Sequence, residues 1–204
     1  MGSQSILLRD FEIRDVDFIY KCKSDEKLNQ FVVGNFRKLS YEDSVDWVKG
    51  VIRADRKDMK FWAICTNDDE KRIVGWMSLS NIDNENHAAC HHGIVIGDKD
   101  YQDGMAMFES MLLSMEYVFN TLKIHRLYGT CLAIHKTSPH LLKALGFSLE
   151  GIKRDAVIKN NKYCDILEYA LLEDKYRENI TNGNYQLKIL SRNFVISLKN
   201  KTLG

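Results

Sequence analysis

Proline is almost absent from this 204-residue chain, with Pro139 its single representative. Low-complexity stretches, internal repeats and Gly/Ser/Pro-rich linkers are missing as well. No internal boundary shows, and one domain, or one domain with a tail, is the expectation at this length. Cysteines are few and scattered: Cys22, Cys65, Cys90, Cys131 and Cys164, with no CxxC pair. An odd, unpaired set excludes a zinc-ribbon spacing and a disulfide framework, and suits buried thiols in a reducing cytoplasm. A charge excess is lacking too: 29 basic against 28 acidic residues leave a net charge of +1. That balance gives no pull toward nucleic acid. No apolar run approaches the roughly 20 residues a membrane helix needs, and the first residues lack the blocks of a signal peptide. Met1-Gly2 opens like a myristoylation signal, but Ile6 stands where Ser or Thr is required. The expectation is a soluble, cytoplasmic protein without nucleic-acid or membrane partners.

What is present is an ordered alternation of patterns. Residues 5–12 read as a first strand, and 15–23 and 26–32 as short helical segments. Ser40-Tyr41-Glu42-Asp43 has the form of a capping box, with Trp47, Val48 and Val51 following at helical spacing. Residues 60–66 and 73–82 form a hairpin around the polar turn 67–72, and 88–97 add a third strand to that meander. A long amphipathic helix follows, with Met107, Phe108, Met111, Leu112, Met115, Phe119 and Leu122 on one stripe that reads as core. Residues 126–132 are another strand. Residues 138–145 are a short helix stopped by Gly146, and 147–158 and 163–172 a closing hairpin around Asn160-Asn161. Meander, strand-helix-strand-helix and hairpin together predict an α/β (α+β mixed) class, a mostly antiparallel mixed sheet with helices on both faces. After Leu172, Tyr185, Leu187 and Ile189 alternate, as do Phe194, Ile196 and Leu198 across Ser191-Arg192-Asn193. The alternation predicts an added hairpin packed on the domain or on a second subunit, so 1–172 are assigned to the domain and 173–204 to a C-terminal extension.

The stretch Cys90-His91-His92-Gly93-Ile94-Val95-Ile96-Gly97-Asp98-Lys99-Asp100-Tyr101-Gln102-Asp103-Gly104-Met105-Ala106-Met107 passes from strand through polar loop to helix. A helix N-terminus offers unpaired N–H groups and a positive field, which favour a phosphate. Gly104 and Ala106 let a ligand approach, and Gln102 can donate to it; Asp103 is either part of that site or a helix cap. The two adjacent histidines cannot both ligate one ion from a regular strand, and no second Cys/His cluster accompanies them, so no metal is expected. One reads as solvated and the other as a core residue.

Gly93-Ile94-Val95-Ile96-Gly97 through Gln102 resembles the fourth strand and loop of the GNAT-superfamily N-acetyltransferases. Within them it is similar to the bacterial-type branch holding ribosomal-protein N-terminal, spermidine and nucleotide-amino-sugar acetyltransferases. Ser24-Asp25 through Phe31, Ile73-Val74-Gly75-Trp76, and Leu145-Gly146-Phe147 with Glu150-Gly151 resemble other parts of that pattern in order. The resemblance implies the acyl-CoA N-acyltransferase fold, with strands 88–97 and 126–132 splayed apart, and acetyl-CoA as cosubstrate. It places Val95, Ile96, Gln102, Asp103, Gly104, Met105, Ala106, Met107, His135 and Ser138 at the cofactor. The family loop reads Gln/Arg-x-x-Gly-x-Gly/Ala, which puts Met105 and Met107 at the small positions and Gly104 one place early. A methionine resists positive φ and an aspartate repels phosphate, so glycine at 103 and 105 is expected to tighten binding.

His91 falls where many members carry a glutamate base, and an imidazole with a reference pKa near 6.5 suits proton acceptance from an amine. Leu142 stands where a tyrosine acid is common, and His135 where an asparagine is. The resemblance implies acetyl transfer to a primary amine, of a small molecule such as a nucleotide-linked amino sugar or of a protein N-terminus, in a possible homodimer. The alternative is a coenzyme A-binding or interaction protein with little turnover on the same fold.

Overall fold

The computed structural model describes residues 5–34, 38–53 and 57–185. Its sheet is built from β1 (Ile6–Arg9), β2 (Lys60–Thr66), β3 (Ile73–Asp83), β4 (Ala88–Ile96), β5 (Arg126–Leu132), β6 (Ser148–Lys159) and β7 (Lys162–Leu172). The helices are α1 (Val16–Lys23), α2 (Glu26–Asn29), α3 (Tyr41–Arg53), α4 (Met105–Glu116), α5 (Thr137–Ala144) and α6 (Glu173–Thr181). The seven strands run in the order β1-β2-β3-β4-β5-β7-β6. Every neighbouring pair is antiparallel except β4 with β5. None of the described helices is long and apolar enough to cross a membrane.

Side-chain alternation on β2 divides the core into two layers. Ala63 and Cys65 face α1 and α3, where Val16, Ile19 and Val48 close over them. Trp62 and Ile64 face the other way, into a larger cluster with Phe108, Met111 and Met115 of α4 and Leu141 of α5. Helices therefore cover both faces of the sheet. The predicted methionine stripe is core, as its spacing implies. α4 is shorter than the stripe, however. At Tyr117 the backbone widens into a π-helical turn through Thr121, with Leu122 N donating to Tyr117 O at 3.0 Å. The turn keeps Val118 and Phe119 fully buried.

Two polar locks set the sheet's first edge. Glu109 of α4 accepts from Ser5 N (3.0 Å), Ser5 Oγ (2.8 Å) and Ile6 N (3.2 Å), holding the start of β1 to the helix. Arg9 donates twice to Asp15, at 2.8 and 2.7 Å, and Asp15 also accepts from Glu12 N at 2.8 Å. The expected capping box opens α3: Asp43 N donates to Ser40 Oγ at 3.0 Å while Ser40 N donates to Asp43 at 2.9 Å.

At the far edge, α6 docks against the turn that ends α5. Gly146 there has φ +90°, and a Cβ added to it would overlap Asn179 Nδ2 of α6. Asn179 is buried, and its amide donates to Tyr185 Oη at 2.9 Å. The sequence pattern did not show this helix, because its buried positions are the polar Asn179 and a single aromatic, Tyr176. The alternation from Leu187 to Leu198 lies outside the described residues. Gly146→Ala combines left-handed strain with steric overlap. It should lower the unfolding free energy by about 2 kcal/mol or more, measured by urea denaturation, without changing the far-UV spectrum.

Candidate active site

The sheet forks at its centre. β4 and β5 pair in parallel through Ala88–Arg126, Ala89–Leu127, Cys90–Tyr128 and His91–Gly129, and there the pairing ends. β4 continues to Ile96 and β5 to Leu132 without touching again as strands. β3 remains paired to β4 up to Ile96. The β5-facing backbone of β4 beyond His91 therefore lines a cleft rather than a ladder, as the expected splay of 88–97 and 126–132 requires. Gly129 makes the last approach possible, since a Cβ there would lie 3.0 Å from His91 O.

A bulge sharpens the fork. Ser78 pairs with Gly93 and Leu79 with His91, so His92 is the extra residue. The inserted residue flips the strand's parity. Ala89 and His91 share the α4 face before it, and Ile94 and Ile96 return to that face after it. His92 is left exposed. The period-two reading of the sequence could not see this shift, which depends on pairing with β3.

His91 is 8% exposed, and its Nε2 has no hydrogen-bond partner among the described residues. Burial pushes its pKa down to about 4, with a smaller contribution from His92. The imidazole is therefore neutral across the physiological range, and a less basic group than its residue type implies.

The loop after β4 is fastened at several points. Gly97 N and Asp98 N both donate to Val74 O, at 3.0 and 3.1 Å. Asp98 also pairs with Arg72 and accepts from Asp100 N at 3.0 Å. Gln102 does not point its amide into open space: its Nε2 donates to Ile96 O at 2.9 Å, closing the mouth of the fork. The positive φ required before α4 is taken by Gly104, at +95°. Met105 is the first helical residue and bears no such strain, so the sequence-based objection to a methionine there does not hold. Asp103 is a cap, its Oδ1 accepting from Met105 N at 2.9 Å. The Ala106 and Met107 amides remain as first-turn donors without an intrahelical carbonyl to reach. Ala106 is buried in the core and Met107 packs against it, so these residues offer backbone rather than side chain.

Across the cleft, His135 Nδ1 accepts from Ser138 N at 3.1 Å and lies 3.0 Å from Ser138 Oγ, which caps α5 and leaves the ring proton on Nε2. Burial lowers the His135 pKa. Phe31 packs edge-on to its ring at 5.1 Å, and Lys159 Nζ donates to Gly34 O. The segment after α2 thereby lies between the β5–α5 loop and the β6–β7 hairpin. Leu142, at the position of the sought acid, packs into the core with no proton to offer. Val95 is half-buried on the α1/α3 side of β4, past the split, and Ile96 is buried on the other. The strand, loop and helix-start residues thus follow one another at the open end of β4, while His135 and Ser138 lie in the loop and helix that follow β5. An anionic group followed by a narrow, hydrogen-bonding arm fits this arrangement: amides at a helix start, then a strand edge opened by Gly129.

A parallel strand pair split above a helix N-terminus defines a class, and the comparisons agree with it. Residues 5–148 match the acetyltransferase (GNAT) domain, and the chain belongs to that family. It is 34% identical over 103 residues to the [ribosomal protein uS5]-alanine N-acetyltransferase of Escherichia coli, an alignment covering 50% of this chain and 53% of that protein. The chain thus spans about half the length of that relative. It is 24% identical over 188 residues to the spermidine N(1)-acetyltransferase of the same organism, covering 92% of this chain and 97% of the relative. Among solved structures, the spermidine N-acetyltransferase of Vibrio cholerae, in complex with CoA and spermine, superposes with a TM-score of 0.75. That match has 19% identity over 86% of this chain and 99% of the other, and bears on the fold.

The His91 pKa has a consequence for stability. A folded pKa below the unfolded value of about 6.5 means the unfolded chain takes up the proton first. His91 therefore contributes a loss of stability as pH falls from about 6.5 toward 4. Imidazole resonances of the folded protein should show His91 neutral down to about pH 4 to 5. A ring that protonates near 6.5 would mean that it is solvated.

Proposed function

We propose that this protein is an acetyltransferase that moves the acetyl group of acetyl-CoA to a primary amine by direct attack within a ternary complex. The observation that carries the reading is the end of β4–β5 pairing at His91 and Gly129, directly ahead of a helix start opened by Gly104. When bound, acetyl-CoA supplies an activated acetyl thioester. The Ala106 and Met107 amides hold its phosphates, joined by Met105 N once Asp103 turns away. The open edge of β4 around Val95 and Ile96 lines its arm, with His135 and Ser138 on the opposite side.

His91 is assigned the proton. With a pKa near 4 it is too weak a base to strip an ammonium ion in advance. The amine enters as free base, and its nitrogen proton becomes acidic only as the C–N bond forms. Nε2, unpartnered in the fold, accepts it at that moment. Leu142 has no proton to give; the sulfur departs as a thiolate, the conjugate base of a thiol with a reference pKa near 8.5, and takes its proton from solvent, to which the His91 imidazolium gives up the one it accepted.

The acceptor wall supports a single amine rather than a polyamine. The described residues 30–34 after α2 carry no carboxylate, while Phe31 and Val32 are exposed there and Ile134 after β5. A small molecule or a protein N-terminus fits such a wall. A second reading, a coenzyme A-binding protein with little turnover, is favoured by the Asp103 cap and the weak base at His91.

His91→Ala, on protein whose thermal melt is intact, should lower turnover by roughly a hundredfold and leave coenzyme A affinity unchanged. The wild-type rate should rise with pH through the pKa of the acceptor amine, with no inflection near 6.5. Full activity in His91→Ala would remove this residue from the mechanism. Asp103→Gly should tighten coenzyme A binding roughly two- to fivefold by calorimetry, because a competing charge leaves the helix start. Met105→Gly should bring no gain, because the positive φ already falls on Gly104.

A further inference from the structure

Near its end β6 inverts the usual burial of residue types: the apolar Ile158 is 54% exposed, while the charged Lys159 is 8% exposed. Lys159 lies directly opposite Lys162 across the hairpin, where like charges repel. No carboxylate among the described residues forms an ion pair with it. Loss of solvent lowers its pKa. A buried ammonium without a counter-charge costs the fold stability, so packing of β6 does not account for a lysine here.

What Lys159 holds does account for it. Its Nζ donates to Gly34 O, 125 positions away in the chain. The two-residue turn Asn160-Asn161, with φ of 50° and 59°, closes the hairpin at the Lys159–Lys162 pair and fixes where the lysine leaves the sheet. Gly34 belongs to the segment after α2, which is fastened at two further points. Asn29 Nδ2 donates to Cys22 O and Asp25 O, at 2.8 and 2.7 Å, and Phe31 packs on His135. Asn29 thus ties the segment to α1, Phe31 ties it to the loop after β5, and Lys159 ties it to the β6–β7 hairpin. Without the last, no described hydrogen bond joins residues 30–34 to the strands β5, β6 and β7. Phe31 and Val32, the exposed residues of the acceptor wall, stand between these anchors.

We propose that Lys159 is a positioning residue for the acceptor: its ammonium holds residues 31–34 against the β6–β7 hairpin, so that Phe31 and Val32 form a fixed wall beside the loop that follows β5. The role rests on the acetyltransferase reading given above. A wall held in place before the amine arrives avoids the cost of ordering a loop on binding. Lys159 stands apart from the residues assigned to coenzyme A, so its loss falls on the acceptor alone.

The test compares the wild type with Lys159→Met, which keeps the apolar stem and loses the donors, and Lys159→Arg, which keeps a donor. Val32 N donates to Asn29 O at 3.1 Å, and its exchange reports the order of the segment. By NMR this amide should exchange at least fivefold faster in Lys159→Met and near the wild-type rate in Lys159→Arg, with the α4 amides unchanged. Turnover is followed with glucosamine, a small-molecule amine, and with a glycyl tripeptide, an N-terminal one. For whichever reacts, Lys159→Met should raise the acceptor KM about tenfold and leave kcat and coenzyme A affinity within about twofold, and Lys159→Arg should recover most of the loss. Lys159→Met should melt no lower than the wild type, because methionine removes a buried charge. Equal Val32 exchange in all three proteins would overturn the proposal. So would an unchanged acceptor KM alongside a lower melting temperature, which would make Lys159 a structural residue. A wild type that binds no coenzyme A and turns over neither amine counts against the acetyltransferase reading instead, and the exchange comparison then decides the anchor.

Discussion

Parallel pairing between β4 and β5 that lasts four residues and then stops is the constraint on which the rest of this structure depends. A ladder continued to Ile96 would satisfy the strand's backbone internally and leave nothing for a ligand. Stopping it costs hydrogen bonds, and the fold compensates on both sides. β3 holds β4 along its other edge to the end, and Gln102 takes up the Ile96 carbonyl at the mouth. Gly129 allows the strands to come close immediately before they part. The bulge at His92 then returns Ile94 and Ile96 to the core, so the open part of β4 stays anchored by packing.

The helix below the fork is arranged around the same cleft. Gly104 turns the chain with a left-handed residue, and the positive end of α4 faces the loop. Asp103 occupies one of its amides with the chain's own carboxylate. An anion seeking Met105 N would have to displace that carboxylate, whereas the Ala106 and Met107 amides stay open to it. His91 pays for its position by losing basicity: the burial that leaves its Nε2 unpartnered also disfavours its charged form.

Much of this architecture was legible in the residues. The strands 60–66 and 126–132 fall where alternation and turn residues put them, and the methionine stripe of α4 is core. The fork was legible only through family resemblance, since periodicity carries no information about where a parallel pair separates. Three features were not legible at all. The parity shift at His92 arises from register against β3, and the Gln102 contact from a loop that folds back on its own strand. The identity of the φ-positive residue was displaced by one from the family pattern, and a gapless alignment assigned it to Met105 instead of Gly104. In the first two cases the deciding partner lies on another element, beyond the reach of local pattern; in the third a one-residue offset decides.

Backbone amide shifts on adding coenzyme A test the central claim most directly. The account predicts saturable changes concentrated at 92–96, at Ala106 and Met107, and around His135 and Ser138, with the β1 edge near Leu7 and Trp62 unmoved. Saturable changes confined to that edge, or none at the fork at millimolar coenzyme A, would contradict it.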